Sequence, residues 1–165
     1  MEYSLFKGIR KIVKEKTMAK KAIVMGAPSG IGLEVASLLA QRGLQVGIAG
    51  RRIERLEEVK RNTNLLISES PKASKGEIAC YQQIDVTSPE APSLLQKLIE
   101  KLGGMDLYFH SSGIGWQNNS LDIEKEMKTV ETNGLGFLRM VDTAFNSFPQ
   151  QNQGLSHKHI RRCRR

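Results

Sequence analysis

The chain is poor in cysteine, with only Cys80 and Cys163 among 165 residues, too few for a disulfide framework. A reducing cytoplasm is therefore the expected compartment. It also lacks an apolar run long enough to span a bilayer and shows no signal peptide, which excludes a membrane-spanning helix. Net charge is missing from most of its length. The total is +8, but residues 1–21 carry +5 and residues 158–165 another +5, leaving −2 on everything between. The basicity thus belongs to two tails, and the near-neutral body offers no nucleic-acid motif. Neither nucleic acid nor membrane is expected as a partner. The length and the 39% apolar content suit one ordinary soluble domain.

What is present is organised around Ala22-Ile23-Val24-Met25-Gly26-Ala27-Pro28-Ser29-Gly30-Ile31-Gly32. A continuous apolar run marks a parallel strand buried on both faces. Gly26 suits the turn leaving that strand, Gly30 the close approach of backbone N–H groups to a pyrophosphate, and Gly32 tight packing of helix on sheet. The helix that follows carries Ile31, Val35, Leu38 and Leu39 and stops at Gly43, so its positive end faces the turn.

The spacing Gly-x-x-x-Gly-x-Gly differs from the common dinucleotide fingerprint. It resembles the cofactor turn of the short-chain dehydrogenase/reductase family. That resemblance, from about Lys20 to Gly154, implies a Rossmann-like α/β doubly wound parallel sheet and reversible NADP(H)-linked interconversion of an alcohol and a carbonyl, with Gly26, Ser29, Gly30, Ile31 and Gly32 around the pyrophosphate.

A second strand is predicted over Leu44–Gly50. Arg51 and Arg52 stand about twenty residues beyond the turn, where an acidic residue would bind a ribose and an arginine a 2′-phosphate. NADP(H) is therefore favoured over NAD(H). The alternative for both arginines is a solvated start to a helix running from Arg52 to about Arg61. Residues 62–76 read as a surface connection, and Glu77–Ile84 as a third strand. The resemblance sets Asp85 and Val86 beside the adenine; a plain turn residue is the competing reading of Asp85. Ser88 and Pro89 predict a helix start, and that helix runs through Leu94, Leu95, Leu98 and Ile99 to Gly103.

A fourth strand, Met105–Phe109, ends in His110-Ser111-Ser112-Gly113. The family shows Asn-Asn-Ala-Gly there, and only Gly113 matches; Ser111 and Ser112 can still bond neighbouring backbone. Ser112 and Gly113 are kept as cofactor-side candidates and His110 as a structural residue. Residues 121–148 form a helical pattern broken at Glu131-Thr132-Asn133-Gly134. The resemblance makes Asn133 the catalytic asparagine, freeing backbone at a kink and helping to hold a water.

The family's serine and Tyr-x-x-x-Lys pair would come later, and neither is found. Tyr3-Ser4-Leu5-Phe6-Lys7 matches the spacing but precedes the first strand, and reads as coincidence. After Gly154 the basic run Leu155–Arg165 does not resemble a buried strand, so the fold is expected to be incomplete at its C-terminal side, catalytically defective, and left with an open sheet edge and uncovered apolar faces. His157, His159 and Cys163 lack a fourth ligand, so no metal is expected. The resulting division is a basic N-terminal extension over 1–17, a dinucleotide-binding domain over 18–154 and a basic irregular tail over 155–165. The extension is amphipathic and would suit an anionic membrane or a targeting role, but Met18-Ala19-Lys20-Lys21 reads as a start, and an upstream extension is preferred. A nucleotide-binding module without turnover is the alternative function, and a homo-oligomer is allowed for.

Overall fold

In a computed structural model, residues 20–70 and 76–148 are described. They form strands β1 (Lys21–Met25), β2 (Gln45–Gly50), β3 (Glu77–Gln83) and β4 (Leu107–His110). Between them run helices α1 (Gly30–Gln41), α2 (Ile53–Glu69) and α3 (Ala91–Leu102). After β4 come α4 (Ile123–Val130), a π-helical turn (Glu131–Gly136) and α5 (Phe137–Ser147). The sheet is parallel throughout, in the order β3-β2-β1-β4, with Val24 of β1 level with Ile48 of β2 and Phe109 of β4. This is the doubly wound α/β architecture read from the sequence.

The continuous apolar run of β1 serves two cores at once. Ala22 and Val24 point to the side covered by α1 and α2, and Ile23 and Met25 to the side covered by α3 and α5. Leu107 and Phe109 of β4 divide from Tyr108 in the same way, as a two-residue period requires. In β3, Ile78 and Cys80 face opposite sides although two residues apart. The pairing slips between Val46 and Gly47, and that bulge carries an extra residue which reverses the facing beyond it.

Two boundaries differ from expectation. The segment 62–76 is not all connection, since α2 continues to Glu69. Its polar residues are held by tertiary partners: Thr63 Oγ1 lies 3.1 Å from Ser37 Oγ, and Asn64 donates to the Ile78 carbonyl (3.1 Å) while accepting from the Ile78 N–H (2.8 Å). Such contacts outweigh the weak helix propensity of Thr and Asn. The helix expected at Ser88 begins at Ala91, so Pro92 rather than Pro89 occupies its first turn. Ser88 belongs to the preceding turn, where its hydroxyl accepts from Glu90 N–H (3.2 Å). Gly103 ends α3 in the left-handed conformation (φ 77°).

Candidate functional site

Because the strands are parallel, their carboxyl ends open on one side of the sheet. The chain leaves β1 for β2 on one flank, while β4 lies on the other, so connections diverge at β1 and leave a crevice where open α/β sheets bind ligands. The candidate residues sort themselves along this edge: the glycine turn after β1, Arg51 and Arg52 after β2, Asp85 and Val86 after β3, and Ser112 and Gly113 after β4.

The turn is built by close approach. Gly26 has φ 86°, and a Cβ there would lie 2.6 Å from Ser112 N. A Cβ on Gly32 would collide with the Gly26 carbonyl oxygen, so α1 can start this near the strand only with glycine at that position. Ser111 fastens the arrangement, its hydroxyl donating to the carbonyls of Met25 (3.1 Å) and Gly26 (3.3 Å), as the sequence reading allowed.

Ser29 precedes α1 in extended conformation without capping it. Its hydroxyl instead accepts from Arg52 Nη2 (3.1 Å), joining two candidate residues that are distant in sequence. The first turn of α1, with exposed Gly30 and Ile31, contains no carboxylate. Helix-end N–H groups, the positive end of the helix dipole and a guanidinium thus share one place, which is an anion site by its chemistry.

Beside it lies an open depression of about 260 Å³ lined by Arg51, Gln83, Asp85, Ser88 and Leu94. Asp85 is indeed a turn residue, its Oδ1 accepting from Thr87 N–H (3.0 Å) and Thr87 Oγ1 (2.8 Å), and it lines the depression as well. Val86 is buried, and a Cβ on Gly136 would come within 2.8 Å of its Cγ2 and 3.0 Å of its carbonyl oxygen, so Val86 packs against the π-helical turn.

Asn133 sits inside the π-helical turn, the interruption that the sequence pattern marked. Its amide is committed at both ends to one peptide unit pair: Oδ1 accepts from Ile114 N–H (2.9 Å) and Nδ2 donates to the Ile114 carbonyl (2.6 Å). A Cβ on Gly113 would lie 3.1 Å from the same Oδ1. The side chain therefore fixes the loop after β4.

Neither described tyrosine is tuned for proton transfer near neutrality. Tyr108 is 1% exposed, burial pushes its phenol far up, and its hydroxyl lies 2.9 Å from His110 Nδ1. Tyr81 is raised by its hydrogen bond to the Glu57 carboxylate, which favours the protonated phenol. His110 is buried, beside Tyr108 and with its ring perpendicular to that of Phe137, a packed place in the core. Among the described residues no cluster of three metal-binding side chains occurs. Tyr3, Lys7, His157, His159 and Cys163 lie outside the described residues.

Sequence reasoning missed Gln83 and Ile114. Gln83 had a signal, since it stands two residues before Asp85 at a strand end and shares its side; Ile114 contributes only backbone and had none.

A family model described as short chain dehydrogenase matches residues 20–155. The chain belongs to that family. Among relatives, an uncharacterized oxidoreductase of Listeria innocua is 36% identical over 139 residues, covering 82% of this chain and 52% of the relative. Farnesol dehydrogenase of Aedes aegypti is 30% identical, covering 84% and 55%. A crystal structure of F189W actinorhodin polyketide ketoreductase with NADPH is similar at 30% identity and a TM-score of 0.63, over 78% of this chain and 47% of that one. The chain spans about half the length of the curated relatives it matches.

Proposed function

We propose that this chain is the cofactor-binding half of an NADP(H)-linked oxidoreductase acting on an alcohol or carbonyl of a small molecule. The observation that carries the reading is the joined anion site, where the uncapped start of α1 meets Arg52, with Arg51 lining the adjoining depression. Gly26, Ser29, Gly30, Ile31 and Gly32 would hold the pyrophosphate, Arg51 and Arg52 the 2′-phosphate, and Asp85 and Val86 the adenine. Ser112, Gly113 and Asn133 would shape the floor on the nicotinamide side, Asn133 through the loop it fixes. The residues present fit the nucleotide at its phosphate and adenosine ends. When bound, the cofactor supplies or accepts the hydride; the chain's own part is to orient it and keep its phosphates paired.

Titration calorimetry of the 165-residue chain with NADPH and NADH tests this. Tighter binding of NADPH is expected, with the preference falling at least tenfold in R51A/R52A while NADH binding stays within about threefold. Equal affinities in the unmodified chain would remove the role given to both arginines.

A second reading, a nucleotide-binding module without turnover, draws support from the two described tyrosines, whose hydroxyls are engaged by His110 and by Glu57. NADPH oxidation with a panel of carbonyl compounds separates the two. Turnover by this chain excludes the second.

A further inference from the structure

We propose that Gln83 is a positioning residue for the 2′-phosphate-reading arginine, an inference that rests on the NADP(H) reading above. In the bend between β2 and α2, three consecutive carbonyls accept hydrogen bonds from three different sources. Gly50 O accepts from Ile84 N–H (2.9 Å), continuing the sheet, and Arg52 O accepts from Leu56 N–H (3.2 Å), opening the helix. Arg51 O lies between them, past the ladder and before the helix, where neither regular structure supplies a donor. Gln83 Nε2 supplies it at 2.8 Å. A carbonyl can only accept, so the NH₂ end of the carboxamide must face it.

The bond therefore fixes the one peptide of the bend that no backbone partner fixes, and that peptide carries the side chain that lines the depression. Gln83 lines the same depression, alongside Asp85 and Ser88. Its carboxamide sets the direction in which Arg51 leaves the sheet edge, and so the fit of the guanidinium to a phosphate on the adenosine ribose. Gln83 is itself exposed, so its substitution costs the core nothing.

The test uses adenosine nucleotides that occupy only this end of the site. Affinities of the 165-residue chain for 2′,5′-ADP and for 5′-ADP are measured by calorimetry in the unmodified chain, Q83M, R51A and the double variant. Methionine keeps the length and removes the donor; Q83E, which keeps the shape and sets an acceptor against the Arg51 carbonyl, is the second variant should Q83M not fold. The expected result is a loss of about 3- to 10-fold in preference for 2′,5′-ADP in Q83M, the size of one intramolecular hydrogen bond. Binding of 5′-ADP should stay within twofold, and Q83M should add nothing in the R51A background, because a residue that acts through Arg51 has nothing left to act on. An unchanged preference overturns the inference, as does an equal loss for both nucleotides or a loss that persists undiminished without Arg51. If the unmodified chain shows no preference for 2′,5′-ADP, the NADP(H) reading itself has failed, and that is visible before any variant is made.

Discussion

Tyr108 shows how one side chain couples the site's floor to stability. It is the largest fully buried residue of β4, and its hydroxyl is spent on His110 Nδ1 rather than offered to the crevice. Burial raises the phenol far above its ordinary value near 10, so the folded chain keeps this proton over a range in which the unfolded chain releases it. Below pH 10 both states are protonated and the stabilisation is fully present. Above it the unfolded state binds fewer protons than the folded one, and stability falls with rising pH by up to about 1.4 kcal/mol per unit from this group. Y108F should lose about 0.5–1.5 kcal/mol at pH 8, the hydrogen bond to His110, and then decline less steeply between pH 10 and 11.5. Urea unfolding of both chains across that range measures it. Parallel declines would mean that Tyr108 ionises in the folded state. At this scale the sequence spoke unevenly. Gly26 and Gly32 were legible because a missing Cβ is a property of the residue itself, whereas the double role of Asp85 depended on Thr87 and on the depression, which no single position announces.

The elements were legible where burial is two-sided and poorly so where a polar side chain decides. β1 announces itself because all its central residues must be apolar. The extension of α2 was hidden because Thr63 and Asn64 have weak helical preference, and what holds them is Ser37 and the backbone of Ile78, partners invisible along the chain. Asn133 repeats the device of Asn64, a carboxamide clasping both polar groups of a distant residue. The break in the 121–148 pattern was legible, but its meaning was not. Thr132, Gly136, Met140 and Ala144 form the buried face, with glycine at the position where Val86 comes closest. The clasp is what ties the π turn to the loop after β4. N133A should therefore cost about 1–3 kcal/mol and speed amide exchange at Ile114 before exchange in β4 changes. N133D keeps the acceptor but sets a carboxylate oxygen against the Ile114 carbonyl, so it should cost at least as much. Unchanged protection at Ile114 in N133A would count against the clasp.

For the molecule as a whole, the outer face of the last helices is the feature that the architecture leaves unexplained. Ile123, Met127 and Val130 stand at i, i+4 and i+7 on α4, and each is more than half exposed, as are Leu138 and Phe145 on α5. A uniform α-helix would carry the line from Val130 to Phe137, yet Phe137 turns inward onto His110. The π turn takes up one extra residue, so the line resumes at Leu138 and passes to Phe145, and one apolar stripe runs the length of both helices. A contiguous stripe of this kind is costly in water and favours association. β4 adds a second route, because among the described residues it pairs only with β1 and its outer edge is open. The two routes respond differently to charge. V130E/L138E sets two carboxylates on the stripe and leaves the edge untouched. Sedimentation velocity across a hundredfold range of concentration should show association of the unmodified chain, abolished in the double variant if the stripe is the contact. Association that survives the charges assigns the contact to the edge of β4, and a unmodified chain that remains monomeric throughout refutes both.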